Sequence, residues 1–215
     1  MAVYDLEEQE QISQIKAWWE QYGKYVTAIA LIAALSSVGW QGLRWYQDRQ
    51  AAEAGALYYA VQQAAERGDA ARAREAAGQI IDKFGRTAYA EMAALVSASV
   101  QFSGGDLRNA RAHLEWLANN GRDPVLKDIA RLRLAVILLN DGAPAEALSR
   151  LENAPVPSLK GRFDDLRGDV LAALGRHEEA RAAYLAALDT FAPGGTRSAE
   201  LLREVVRMKL ESLES

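Results

Sequence analysis

Cysteine is absent from this 215-residue chain, proline occurs five times and histidine twice. The first absence excludes a disulfide framework, thiol chemistry and thiolate metal sites. It marks no compartment, because cysteine-free domains suit the cytoplasm and the periplasm alike. Scarce proline beside abundant alanine, leucine, glutamate and arginine makes helix the default expectation. A basic excess is also missing. The net charge of −4 divides into −3 for residues 1–24, nothing for 25–43 and −1 for 44–215. The long C-terminal part therefore has no surplus cation to neutralise phosphates, and nucleic acid is excluded as a partner. What remains is ordinary globular composition, half apolar and a quarter charged, with length enough for one medium domain and an appendage.

Groups that could do chemistry are few. His113 and His177 fall on different predicted helices, and neither has a carboxylate pair at ligand spacing, so no metal site is expected. Gly104-Gly105 and Gly194-Gly195 belong to no strand–loop–helix element and are loop glycines, not a phosphate cradle. Asp164, Asp165 and Asp169, with Arg162 and Arg167 nearby, have the helical spacing of solvated ion pairs. The residues point to a binding protein without a cofactor, not to an enzyme.

From Tyr25 to Leu43 no residue is charged. The roughly 19 residues make a helix of about 28 Å, close to the hydrocarbon thickness of a bilayer. Lys24 and Arg44 bracket it and can snorkel to the interfaces. Trp18, Trp19, Tyr22 and Tyr25 on one side, and Trp40, Trp45 and Tyr46 on the other, form two aromatic belts against the lipid bilayer. Ser37-Val38-Gly39 has the small residues of a cleavage site, but the preceding tail is acidic and long, unlike a basic signal n-region. The expectation is an uncleaved anchor. Lys16 and Lys24 balance Arg44 and Arg49, so the positive-inside count is a tie and leaves the orientation open. Ala30 with Ala34, and Ala33 with Ser37, place small residues four apart where a second helix could approach. In the tail, Asp5 and Glu8 have the spacing of a capping box, and Ile12, Ile15, Trp19 and Tyr22 recur as the apolar face of a short amphipathic helix.

Beyond Arg44 the chain repeats itself. A glycine followed five residues later by an alanine occurs at Gly68/Ala73, Gly105/Ala110, Gly142/Ala147 and Gly175/Ala180, at intervals of 37, 37 and 33 residues. Glycine permits the left-handed conformation that ends a first helix, and alanine lets a second helix pack closely against it. In the last unit Gly168, Leu171, Gly175, Ala180, Tyr184 and Ala187 match the small-and-large spacing of a tetratricopeptide repeat, and Pro193 falls beyond its final helix. Ala98 and Ala135 stand where the last unit has Gly168. The expected helix pairs are 51–66/70–84, 87–103/107–119, 125–140/144–153 and 161–174/177–191, closed by a helix over 197–213. The fold class is all-α: one N-terminal transmembrane helix, then a tetratricopeptide-repeat-like α-solenoid of four helix pairs with a C-terminal capping helix.

Such a solenoid binds peptides or protein surfaces along its concave side. The repeat register turns Tyr58, Gln62, Met92, Leu95, Ser99 and Phe102 toward that side, then Ile129, Leu132, Val136 and Leu139, then Arg162, Asp165 and Asp169. The middle of the groove is apolar and its C-terminal end charged. Core packing, or cover by the closing helix, is the competing use of these side chains.

Three stretches resemble the YfgM-like family, the ancillary subunits of the SecYEG translocon. They are the tail from Tyr4-Asp5 through Lys16-Ala17-Trp18-Trp19 to Gly23-Lys24, then Asp165-Leu166-Arg167-Gly168-Asp169, and Met208-Lys209-Leu210 with Leu213. The likeness covers nearly the whole chain. It implies residues 1–24 in the cytoplasm, 25–43 in the inner membrane and 44–215 in the periplasm. It also implies association with the translocon and with a membrane-anchored periplasmic chaperone of the peptidyl-prolyl-isomerase type, and help for nascent chains leaving the channel. The residues themselves suit equally a tethered scaffold for another envelope assembly, such as cell division or lipoprotein handling.

Overall fold

The computed structural model describes residues 4–191 and 196–213, with the backbone alone for 4–11 and 15. The Asp5–Glu8 capping pair, Ile15, Pro193 and Gly194-Gly195 lie outside the described residues or side chains. By internal contacts the chain forms two units, Met1–Gln50 and Ala51–Ser215.

Helix α1 (Tyr4–Glu66) supplies the first unit and the start of the second. The sequence set a short tail helix apart from the span, yet α1 is unbroken at Gly23. No proline falls between residues 4 and 66, and an isolated glycine costs a helix only about 1 kcal/mol. Trp19 lies over Gly23, where a Cβ would stand 3.1 Å from the indole. An 18-residue window of this helix is long and apolar enough to cross a membrane, and none of it is buried within the chain.

The second unit pairs the end of α1 with α2 (Ala70–Phe84), α3 (Ala88–Ser103) with α4 (Leu107–Asn120), α5 (Pro124–Asn140) with α6 (Pro144–Arg150), and α7 (Lys160–Ala173) with α8 (His177–Thr190). Helix α9 (Arg197–Leu213) closes the stack through buried Val206. The described residues are thus the all-α, tetratricopeptide-repeat-like solenoid the sequence led us to expect.

Each pair turns in the same way. Gly68, Gly105, Gly142 and Gly175 have φ of 67°, 79°, 74° and 71°, the left-handed region that side chains disfavour. At each turn the residue after the glycine donates its N–H back to the helix just ended: Asp69 to Ala64, Asp106 to Gln101, Ala143 to Leu138 and Arg176 to Leu171, all at 2.8–2.9 Å. In the first two turns that residue also caps the next helix, Asp69 accepting from the Arg72 N–H and Asp106 from the Asn109 N–H. The alanines five residues on, Ala73, Ala110, Ala147 and Ala180, are fully buried.

Where the two helices of a pair cross, side-chain volumes compensate. Val61 shares a core cluster with Ala77, Ala98 with Leu114, and Ala135 with Leu151. At the equivalent crossing in the fourth pair Gly168 faces Tyr184, whose ring would lie 2.3 Å from a Cβ. The joints between repeats use two devices. In the outer repeats an aromatic ring plugs the joint: Phe84 packs in one cluster with Ala54, and the Phe191 ring covers Gly161. In the middle repeats the residue equivalent to Ala54 and Gly161 is a buried carboxylate that holds the next loop. Glu91 accepts from the Arg122 N–H and, at 3.4 Å, from the Asp123 N–H, and Asp128 accepts from the Val156 N–H at 2.7 Å.

Helix α6 departs from expectation, ending at Arg150 and not near residue 153. Arg131 of α5 takes the carbonyls of Arg150 at 3.1 Å and Asn153 at 2.6 Å, while Asp128 holds Val156. Arg131 thus occupies carbonyls that a longer helix would use as acceptors, and Pro155 has no N–H to donate to the Leu151 carbonyl.

Candidate protein-binding groove

Helix α3 borders two adjoining cavities, one toward the turn that ends α1 and the other toward α4 and α5, with Arg133 of α5 on both. One, of about 600 Å³, is lined by Leu95, Val96, Ser99, Val100 and Arg133 with the Gly68 turn. The other, of about 260 Å³, is lined by Ala98, Phe102, Leu114, Val136 and Ile137, and shares Ser99 and Arg133 with the first. Phe102 is 41% and Val136 37% exposed, large apolar side chains with an open face. Leu95 is half-buried and packs from the groove onto the Ala98–Leu114 cluster.

The remaining residues of the expected groove are used differently. Tyr58 leans on Tyr89 at 5.7 Å between ring centres and packs on the first core cluster. Leu132 and Leu139 pack on the cluster of Ala135, Leu138 and Phe163. Met92 and Ile129 are half-buried outside the two cavities, and Arg162 is exposed. Arg133, which the sequence reading passed over, stands at the junction of the cavities. Its signal was available: a charge inside the apolar run Ile129 to Leu139.

At the C-terminal end the charges form a clamp. Lys209 of α9 donates to Asp165 at 2.7 Å and to Asp169 at 2.8 Å, and the Tyr184 hydroxyl donates to Asp169 at 2.8 Å. Burial pushes the Asp165 carboxyl above the usual value against the pull of Lys209. Burial also disfavours the Lys209 cation, but the two carboxylates outweigh it and hold the ammonium above its ordinary value. Tyr184 is pushed up, first by burial and then by Asp169. Asp165 is therefore occupied within the chain, and Asp164 is paired likewise with Lys160 at 2.6 Å. Two of the three stretches that carried the family resemblance, Asp165 to Asp169 and Met208 to Leu210, meet in this clamp.

The histidines do not converge. His177 is exposed, while Nδ1 of His113 is buried without a hydrogen-bond partner among the described residues. Burial, and then Arg74, hold the His113 pKa below the ordinary 6.5. Among the described residues no cluster of three or more histidines and carboxylates could hold a metal.

In the first unit the expected anchors stand outward: Trp18 is 51%, Trp19 54%, Trp40 60% and Trp45 64% exposed. Lys24 lies over the Tyr25 ring at 5.1 Å, Arg44 over Trp40 at 5.3 Å and Arg49 over Trp45 at 5.7 Å. A cation held on an aromatic face suits the headgroup region, where both groups keep water at one end.

Comparison with known proteins agrees with this geometry. A protein of Neisseria gonorrhoeae named ancillary SecYEG translocon subunit is 28% identical over 213 residues, covering 97% of this chain and 98% of the relative. One of the same name from Haemophilus influenzae is 28% identical over 210 residues, with 98% and 99% covered. A third, from Aggregatibacter actinomycetemcomitans, is 25% identical over 210 residues. These relatives bear out the resemblance drawn from the tail, the last repeat and the closing helix. The profile of the tetratricopeptide repeat-like domain matches residues 16–215, which takes in the membrane-type helix with all four helix pairs, and the chain belongs to that family.

Proposed function

We propose that this chain is a membrane-tethered, non-enzymatic scaffold that binds protein segments beside the Sec translocon. The observation that carries the reading is the open apolar groove of Leu95, Phe102 and Val136 on a chain matching, end to end, relatives named for that translocon. Residues 25–43 cross the inner membrane once, with Trp18, Trp19 and Lys24 at one interface and Trp40, Arg44 and Trp45 at the other. Residues 1–24 are cytoplasmic and 44–215 periplasmic. There the solenoid receives exported chains, or a membrane-anchored chaperone of the peptidyl-prolyl-isomerase type, as they leave the channel. Met92, Ile129 and Arg162 border the binding face, Tyr58 and Leu132 support it, and Asp165 fixes its C-terminal end.

Crosslinking in inner-membrane vesicles, paired with thermal melts, tests this. Leu95→Ala and Phe102→Ala should weaken capture of translocon-emerging chains about thirtyfold, the effect of an interface anchor worth about 2 kcal/mol. Leu132→Ala should lower the melting temperature with little change in crosslinking of the folded protein, because that side chain packs on the core. The reverse pattern would place the docking surface elsewhere, with the membrane helix and its aromatic flanks next in line. Orientation has its own test. A periplasm-dependent reporter fused after Ser215 should be active, and an inactive one would reverse the assignment.

A further inference from the structure

The two middle-repeat arginines of α5 differ in what holds them. Arg131 pairs with Asp128 at 2.7 Å, takes two loop carbonyls and lies over the Phe163 ring at 5.0 Å. Arg133 is exposed, its one hydrogen bond among the described residues is a long 3.4 Å contact to the Leu95 carbonyl, and it forms no ion pair there. Yet it lines both cavities, as does Ser99. A guanidinium offers five N–H donors in a planar fork and no acceptor, so beyond the long contact to Leu95 the groove presents donors that no acceptor among the described residues receives. The smaller cavity beside it is walled by Phe102, Val136, Leu114, Ile137 and Ala98, all apolar.

Resting on the groove assigned above, we infer that the groove selects an extended protein segment in which an apolar side chain is followed two residues later by a carboxylate. The apolar side chain fills the 260 Å³ cavity, and the carboxylate reaches Arg133 and Ser99 at its mouth. The two-residue spacing follows from the strand period, which puts residues i and i+2 on one face about 7 Å apart. Acidic partner segments are thereby favoured over basic ones of equal hydrophobicity, because a cation would meet Arg133 without compensation.

The test uses the full chain in lipid nanodiscs and two fluorescein-labelled peptides, Gly-Ser-Gly-Phe-Ser-Asp-Ser-Gly-amide and the same peptide with Asn for Asp. Anisotropy titration should give about tenfold tighter binding of the Asp peptide at low salt, falling as salt is raised. Arg133→Gln, at an exposed site, should melt like the parent and bring the Asp peptide to the affinity of the Asn peptide. Phe102→Ala should weaken both peptides. Equal affinity of the two peptides, or an Arg133→Gln variant that still prefers Asp, overturns the carboxylate inference. If Phe102→Ala then still weakens both, the groove itself stands. Absence of binding by either peptide, or indifference to Phe102→Ala, overturns the groove and the inference together.

Discussion

The second and fourth helix pairs occupy equivalent positions in the stack and solve the same packing problem with opposite residues. The second sets Ala98 against Leu114 and joins its neighbour through the buried carboxylate of Glu91. The fourth sets Gly168 against Tyr184 and joins through the Phe191 ring on Gly161. The crossing needs a certain summed volume, and the joint needs either apolar contact or satisfied loop N–H groups. Neither needs a particular residue. The difference also sorts the two pairs by role: the Gly168–Tyr184 crossing places a hydroxyl on Asp169 and so builds the clamp that receives α9, whereas α3 keeps one face open for the groove.

The largest expected effect would break this equivalence at its root. Ala180→Glu puts an unpaired charge at a fully buried site between α7 and α8, costing at least several kcal/mol. Hydrogen exchange should show the fourth pair and α9 unprotected, and a variant that melts like the parent would show that Ala180 is not the counterpart of Ala110. A smaller effect sharpens the crossing. Gly168→Ala overpacks against the Tyr184 ring and should lose about 1–3 kcal/mol in chemical unfolding. Adding Tyr184→Leu recreates the Ala98/Leu114 pair and should recover part of the loss, less the bond to Asp169. A double variant no more stable than Gly168→Ala alone would refute volume compensation.

The smallest effect concerns pH. The second pair carries half-buried His113 where the fourth has Ala183. The folded state holds His113 neutral, with its pKa below 6.5, first by burial and then through Arg74. The unfolded chain therefore takes up the proton first. The contribution of this neutral form is full above about pH 6.5 and is lost as pH falls below it toward the folded pKa. Melting temperatures from about pH 7 down to pH 5.5 should fall in the parent and fall less in His113→Ala, the residue of the fourth pair. Parallel slopes would remove His113 from the account.

Much of the solenoid was legible along the chain. The turn glycines and close-packing alanines were assigned from their spacing alone, and the helix boundaries agree within a residue except at the end of α6 and at residue 51, where the expected first helix is the continuation of α1 from Tyr4. Such features depend on neighbours a few residues away, where glycine's freedom at positive φ and alanine's small size act locally. The groove was half legible. Leu95, Phe102 and Val136 line it as the register required, but Leu132, on the same expected face, turned to the core. Arg133 was overlooked because a charge within an apolar run carries no local sign of whether a partner will meet it. Among the described residues Arg131 met a carboxylate, and Arg133 met only the Leu95 carbonyl at 3.4 Å.

The sequence by itself determined four repeats and an uncharged stretch of membrane length, since periodicity and side-chain size are properties of short windows. Tertiary structure decided what closes each joint and which charges are left over. The Glu91 clasp spans 31 residues and the Lys209–Asp165 pair 44. Over such distances, only the stacking of helices determines which groups come within hydrogen-bonding reach and which face open solvent.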